Sequence, residues 1–296
     1  MTAQASTSMP RYRVSVVIPT LNEARNLPHV FARLPRDIHE VIVVDGHSVD
    51  DTLMVAQRLR PDTRLVMQTR SGKGNALACG FAAATGDIIT MVDADGSADP
   101  GEIPHFVKAL ADGADFAKGT RFGPGGGSND ITRLRAMGNR ALVGFVNLSY
   151  GTRYTDLCYG FNAFWRRHVP VLGLDVTAAA PPGGGRLWGD GFEVETLIHL
   201  RVAAAGLAVT EVPSYEHPRI HGVSNLSAFD DGLRVLRTIL VERRRPAAPA
   251  PVQVQTTRPS QNAPRADDYP TWPGLLGQSV SQPWASPGTA AQGTAE

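Results

Sequence analysis

One stretch limits the fold more than any other: Gly86-Asp87-Ile88-Ile89-Thr90-Met91-Val92-Asp93-Ala94-Asp95-Gly96. A β-prone apolar run ends in two carboxylates one residue apart. Two earlier runs have the same form. Arg13 to Pro19 reads RVSVVIP and Glu40 to Asp45 reads EVIVVD. Continuous β-branched runs of this kind mark strands buried on both faces, which occur in parallel sheets covered by helices on both sides. An open sheet of that class binds ligands at the carboxyl ends of its strands. Asp93 and Asp95 therefore belong at a ligand edge. Two carboxylates that close repel unless a cation or hydrogen-bond donors sit between them. A hard divalent ion bridging to substrate phosphates satisfies both.

The rest of the chain alternates strand with helix. Leu27, Val30, Phe31 and Leu34 have helical spacing, with Asn22 as a candidate cap and Pro28 near the start. Asp50 or Asp51 opens a second helix, and Arg64 to Gln68 is a third strand. Ser71-Gly72-Lys73-Gly74-Asn75 leads into a helix through Ala84; its glycines are read as allowing an anion to approach the helix N-terminus. Pro100 to Leu110 is a helix and Ala114 to Lys118 a fifth strand. Gly123 to Asp130 reads as a mobile loop, Ile131 to Tyr150 as one long helix, Tyr159 to Trp165 as a strand, and Ala178 to Gly185 as a surface insertion. Phe192 to Ala205 is a helix, Ala208 to Pro213 a strand, Ser214 to Gly222 a loop, and Leu226 to Val241 a final helix.

Residues 1–10 read as a disordered leader and 11–245 as the folded domain, divided at about residue 119. The tail, 246–296, is rich in Pro, Ala and Gln. It offers too little apolar surface to offset ordering entropy, which predicts disorder. The chain has 296 residues and a formal net charge of +1, a balance that argues against a nucleic-acid binder. Cys79 and Cys158 form neither a disulfide framework nor a zinc spacing and are expected as reduced buried thiols. No apolar run reaches the ~18 residues of a transmembrane helix, and the first dozen residues lack a signal-peptide core. A cytoplasmic protein is expected. Arg234, Arg237 and Arg243 to Arg245 flank apolar residues of the last helix, a pattern suited to peripheral contact with an anionic membrane surface.

The ordered motifs VVIPTLNEARNL, VIVVDGHSVDDT, GKGNAL, GDIITMVDADGSADP, KGTRF, DLCYGFNAF and VPSYEHPRIHGVSNL resemble the family 2 glycosyltransferases of the GT-A fold. Within that family the likeness is to polyprenyl-phosphate (dolichyl-phosphate) mannosyl- and glucosyltransferases, over Val14 to Arg245. The resemblance implies a nucleoside diphosphate sugar donor, Mg²⁺ or Mn²⁺, inversion at the anomeric carbon and a polyprenyl-phosphate acceptor. It implies donor contacts from Pro19, Thr20, Glu23, Asp45, Lys73, Asp93 and Ala94, and a metal site of Asp93 and Asp95 with Ser97 where the family often has Gln. It puts Arg121, Arg133, Arg135, Arg219 and Ser224 on the acceptor phosphate, with Asn225 where Lys is usual. Asp156, Arg121 and Arg219 are the expected catalytic residues. If the acceptor is instead a hydroxyl, a carboxylate base is needed, with Asp156, Asp190 and Glu193 as candidates and Glu195 in the same segment. A non-catalytic nucleotide-sugar-binding protein is the reading from another class.

Overall fold

The computed structural model describes residues 12–181, 183, 185–222 and 228–245, with side chains of the last segment from 232. The leader, Ser224, Asn225 and the tail lie outside the described residues. Seven strands form one sheet in the order β3-β2-β1-β4-β7-β5-β8. These are β1 (Val14–Thr20), β2 (Glu40–Asp45), β3 (Arg64–Met67), β4 (Ile88–Met91), β5 (Phe116–Thr120), β7 (Asn162–Trp165) and β8 (Val209–Pro213). All neighbours run parallel except β7, which lies antiparallel between β4 and β5. A second, two-stranded sheet pairs β6 (Gly127–Ser128) with β9 (Tyr215–Glu216).

Side-chain alternation along the strands divides the core into two layers. Val16, Ile18, Val41, Val43 and Ile88 face one side, where Leu27 and Val30 of α1 (Leu27–Arg33), Ala56 of α2 (Thr52–Leu59) and Phe106 of α4 (Ile103–Ala111) cover them. Val17, Ile42, Val44, Ile89 and Met91 face the other. There Ala76, Leu77 and Phe81 of α3 (Lys73–Ala83) pack with Ile198 and Val202 of α7 (Val194–Ala204). A short α6 (Val169–Leu172) precedes α7. Beyond α7, Val143 and Val146 of α5 (Arg133–Tyr150) pack with Leu200, Val235 and Ile239 into a third cluster, the last two from α8 (Ala228–Arg243).

Several boundaries differ from the sequence reading. Asn22 does not cap α1. It sits at φ 58°, in the left-handed region, and its Oδ1 accepts from the Val49 amide of the loop after β2. Asp50 does act as a cap, accepting from the Thr52 amide. The glycine-rich 123–130 segment is tied down by β6, because its backbone finds ladder partners in β9. Cys79 is buried, but Cys158 is exposed. Among the described residues, no helix is long and apolar enough to cross a membrane.

The centre of the molecule is polar where β5, β7 and α7 meet. Fully buried Lys118 donates to Glu211 at 3.0 Å, and His199 lies 3.0 Å from the Leu157 carbonyl. Burial, aided by the Lys118 charge, pushes the His199 imidazole down to about 3. The folded state thus holds it neutral, whereas an unfolded histidine protonates near 6.5. Its contribution to stability is complete above ~pH 6.5 and is lost as pH falls from there toward 3. His168 is also depressed, chiefly by burial. We expect thermal stability to decline between pH 6.5 and 4, with a shallower decline in His199→Gln. Equal slopes in the two proteins would refute this assignment.

Candidate active site

The β3-β2-β1-β4 order places the topological switch between β1 and β4. Chain direction diverges there, so the loops after those strands leave a crevice. On one wall, Glu23 follows β1. On the other, Asp93 and Asp95 follow β4, as the sequence reading expects. The β1–α1 and β2–α2 loops brace each other: the Asn22 amide donates to Ser48 Oγ and the Glu23 amide to Thr52 Oγ1.

Each carboxylate of the acidic pair has its own cation. Lys73 Nζ lies 2.6 Å from Asp93 Oδ1 and 2.5 Å from Glu195 Oε1. Burial works against the Lys73 ammonium, but the two carboxylates outweigh it and raise its pKa above the ordinary value. Burial raises the Glu195 carboxyl, opposed by Lys73 and reinforced by Asp93. Arg219 joins Asp95 Oδ2 at 3.0 Å to Glu23 Oε1 at 3.2 Å. Its loop is fastened over the crevice by His217 N–H to the Ser97 carbonyl, Ile220 N–H to the Asp95 carbonyl, and Asn26 Nδ2 to the His221 carbonyl. Burial raises the Glu23 carboxyl, with the Asn26 and Arg219 contacts opposing.

Other expected site residues have different surroundings. Asp45 is fully buried and accepts from the Ser48 amide at 2.8 Å and from Ser48 Oγ at 2.6 Å. Buried Thr20 donates to the Val44 carbonyl, and Ala94 is buried beside the acidic pair. Gly72 and Gly74 do not open a path for an anion. A Cβ on Gly74 would meet the Gly189 carbonyl oxygen at 1.8 Å, and one on Gly72 the Asp190 carbonyl oxygen at 2.1 Å. The Gly74 amide at the start of α3 donates to that Asp190 carbonyl. The glycines are needed because the 189–190 backbone packs there, and Arg70 straps that segment down through a paired contact with Asp190.

Ser97 supports Asp95 through its amide, which donates to Asp95 Oδ1 at 3.0 Å. The acidic pair fits a hard divalent cation. Among the described residues no cluster of three or more His, Cys, Asp or Glu is present. Two carboxylates with the remaining positions filled by phosphate oxygens and water is a donor set suited to Mg²⁺ or Mn²⁺ bound with a diphosphate.

Of the residues expected at the acceptor, Arg121 forms a fork with Asp156, Nε to Oδ2 at 2.7 Å and Nη2 to Oδ1 at 2.9 Å, and donates from Nη1 to Glu216. Burial alone would raise Asp156, but the Arg121 hydrogen bonds and charge hold it below the usual carboxylate range. Arg133 and Arg135 open α5, with Arg135 3.9 Å from Asp130. Nothing in the sequence pairs Glu195 with Lys73, 122 positions away. The one signal available was its place in the first turn of a helix without an apolar stripe.

An acidic pair matched by two cations lies at the switch point of a mostly parallel α/β sheet, the place where open sheets of this class bind ligands. The chain belongs to glycosyl transferase family 2, whose family model matches residues 15–169. It is a hexosyltransferase with a GT-A fold. It is 44% identical over 219 residues to an uncharacterized glycosyltransferase of Mycobacterium tuberculosis, covering 72% of this chain and 89% of the relative. It is 31% identical over 232 residues to polyprenol monophosphomannose synthase of Mycolicibacterium smegmatis, covering 75% and 84%. Its fold is similar to glucosyl-3-phosphoglycerate synthase of M. tuberculosis in complex with Mn²⁺, uridine diphosphate and glucosyl-3-phosphoglycerate, with TM-score 0.59, 25% identity, and 79% and 81% of the two chains covered.

Removing Arg121 would leave Asp156 buried without a counter-charge. Arg121→Met should lower unfolding free energy by about 3–5 kcal/mol in denaturant titration. Arg121→Lys should recover only part of this, since one ammonium cannot reproduce the fork. Full recovery would show that charge alone matters.

Proposed function

We propose that this enzyme transfers a hexose, with inversion, from a nucleoside diphosphate sugar to a polyprenyl phosphate. Mg²⁺ or Mn²⁺ would be held by Asp93 and Asp95. The observation that carries the acceptor choice is the commitment of the candidate bases. Asp156 is locked to Arg121 and Asp190 to Arg70, while Glu193 accepts from the amides of Gly189 and Gly191. A hydroxyl acceptor needs a free base, whereas a phosphate acceptor does not. A phosphomonoester has a second pKa of ~6 and arrives mostly ionised. The named activity of the M. smegmatis relative supports the same acceptor class.

In this reading a phosphate oxygen attacks the anomeric carbon. The bond from that carbon to the β-phosphate oxygen breaks, its electron pair leaves with the nucleoside diphosphate, and no proton moves. Bound divalent metal supplies neutralisation of the charge growing on the leaving group. Glu23 contacts the nucleoside, with the Pro19, Thr20 and Ala94 backbone lining the pocket and Asp45 holding the loop. Lys73 and Arg219 neutralise Asp93 and Asp95 before the donor enters and then contact the diphosphate. Arg121 and Arg219, with Arg133, Arg135 and Ser224, orient the acceptor phosphate and offset repulsion between two anions. Asp156 is a positioning residue that holds Arg121.

Glu195 favours a second reading. It is buried, burial raises its carboxyl, and it contacts Lys73, the same ammonium that holds Asp93. Beside a small hydroxyl acceptor it could serve as general base.

The test is transfer from labelled nucleoside diphosphate sugars with Mg²⁺ or Mn²⁺, using a short-chain polyprenyl phosphate against soluble hydroxyl acceptors. Label is expected in the lipid phosphate, and EDTA should remove activity. Asp95→Ala should cut turnover by about 100- to 1,000-fold with melting unchanged. Glu195→Gln should retain lipid-phosphate transfer within about tenfold, the loss of one positioning contact. Transfer to soluble hydroxyls alone, abolished by Glu195→Gln, would move the conclusion to the second reading.

A further inference from the structure

Helices α5 and α8 form the outermost layer over α7, and each carries an apolar stripe on the wrong side for packing. On α5, Asn139, Val143 and Val146 are buried. At 100° per residue, Leu134, Met137, Ala141 and Leu148 fall on the opposite face. Leu134, Met137 and Leu148 are 70%, 69% and 87% exposed. On α8, Val235, Ile239 and Glu242 turn inward, while Leu233, Leu236 and Leu240 turn outward and are 38–52% exposed. A surface helix ordinarily keeps its second face polar. Contiguous exposed apolar surface of this kind marks an interaction site.

Charge identifies the partner. Arg140 lies beside the outward stripe of α5, and the helix has no acidic residue. The last turns of α8 and the residues after it add Arg237, Arg243, Arg244 and Arg245. The acid among them, Glu242, is buried and already accepts from Arg201 at 2.9 Å and Trp188 Nε1 at 2.8 Å. Arg237 lies over the half-exposed Trp188 ring, 5.7 Å from its centroid. Arginines beside leucines, with an indole at the margin, suit a bilayer interface bearing anionic headgroups. A second copy of this chain fits less well, because a two-fold contact would set the arginine-rich face against itself.

We infer that the outer face of α5 and α8, with Trp188, docks on the surface of an anionic lipid bilayer. The lipid-acceptor reading supplies the biological reason for this partner. A groove of about 620 Å³ runs from this face between α8 and the 186–193 segment, lined by Arg186, Leu187, Trp188, Glu193, Leu233 and Arg237. The sequence pattern pointed only to the basic end of α8; the stripe on α5 and the Trp188 margin come from the packing.

The test uses the full-length chain without donor or acceptor, floated with vesicles of phosphatidylcholine alone or with 30 mol%, an order-of-magnitude physiological share, of phosphatidylglycerol. Binding to the anionic vesicles is expected, weakening as salt rises. The double variant Leu148→Glu/Leu240→Glu should bind at least about tenfold more weakly, from lost apolar insertion and added negative charge. Arg244→Glu should bind about fivefold more weakly or worse. Both should melt as the wild type does and turn over a water-soluble short-chain acceptor normally. No vesicle binding, equal binding to neutral and anionic vesicles, or wild-type binding by the double variant would overturn the inference. So would a concentration-dependent dimer lost in that variant. Vesicle binding without any lipid-phosphate transfer would instead overturn the acceptor reading and leave the docking face intact.

Discussion

One ammonium joins the two halves of the site. Lys73 starts α3 in the first half of the domain, Asp93 follows β4, and Glu195 lies in the first turn of α7 in the second half. Removing the cation would leave two buried or half-buried carboxylates facing each other, which strongly disfavours their both being ionised. The Gly189–Asp190 backbone fills the space over Gly72 and Gly74, so the start of α3 is fixed from the other side as well. Arg219 repeats the device on Asp95. Positive charge on each acid offsets the repulsion between the two carboxylates.

The acidic edge of the sheet was legible in sequence because its signals are local. A buried strand followed by acids needs only a handful of consecutive residues, and Asp93, Asp95 and Glu23 all lie at the predicted edge. Where the structure departs from the sequence pattern, the cause is a partner remote in sequence. The glycines around Lys73 suggested room for an anion, but the close neighbour is backbone from the 189–190 segment. Strand β7 shows no mark of its direction, because apolar alternation is the same read either way.

The acceptor side was harder to read for an electrostatic reason. Arginines and acids scattered through a sequence look like solvated surface, and only folding shows which are committed. Arg121 holds both Asp156 and Glu216, and Arg70 holds Asp190, so residues that seem available as bases are counter-ions. Hydrophobic periodicity has a similar blind spot. It detects the inward stripes of α5 and α8, but whether leucines outside that stripe are covered depends on what packs around the helix.

The antiparallel β7 has a consequence for biosynthesis. Strand β4 takes its second neighbour from Asn162–Trp165, about 70 residues later in the chain, so a ribosome elongating at ~5–20 residues per second leaves the β4 edge unpaired for roughly 4–14 s. That edge, Ile88–Met91, is among the most apolar in the protein, and open apolar edges recruit other strands. The nascent chain therefore passes through an aggregation-sensitive interval that closes only when the segment bearing α5 has been made and β7 slots in.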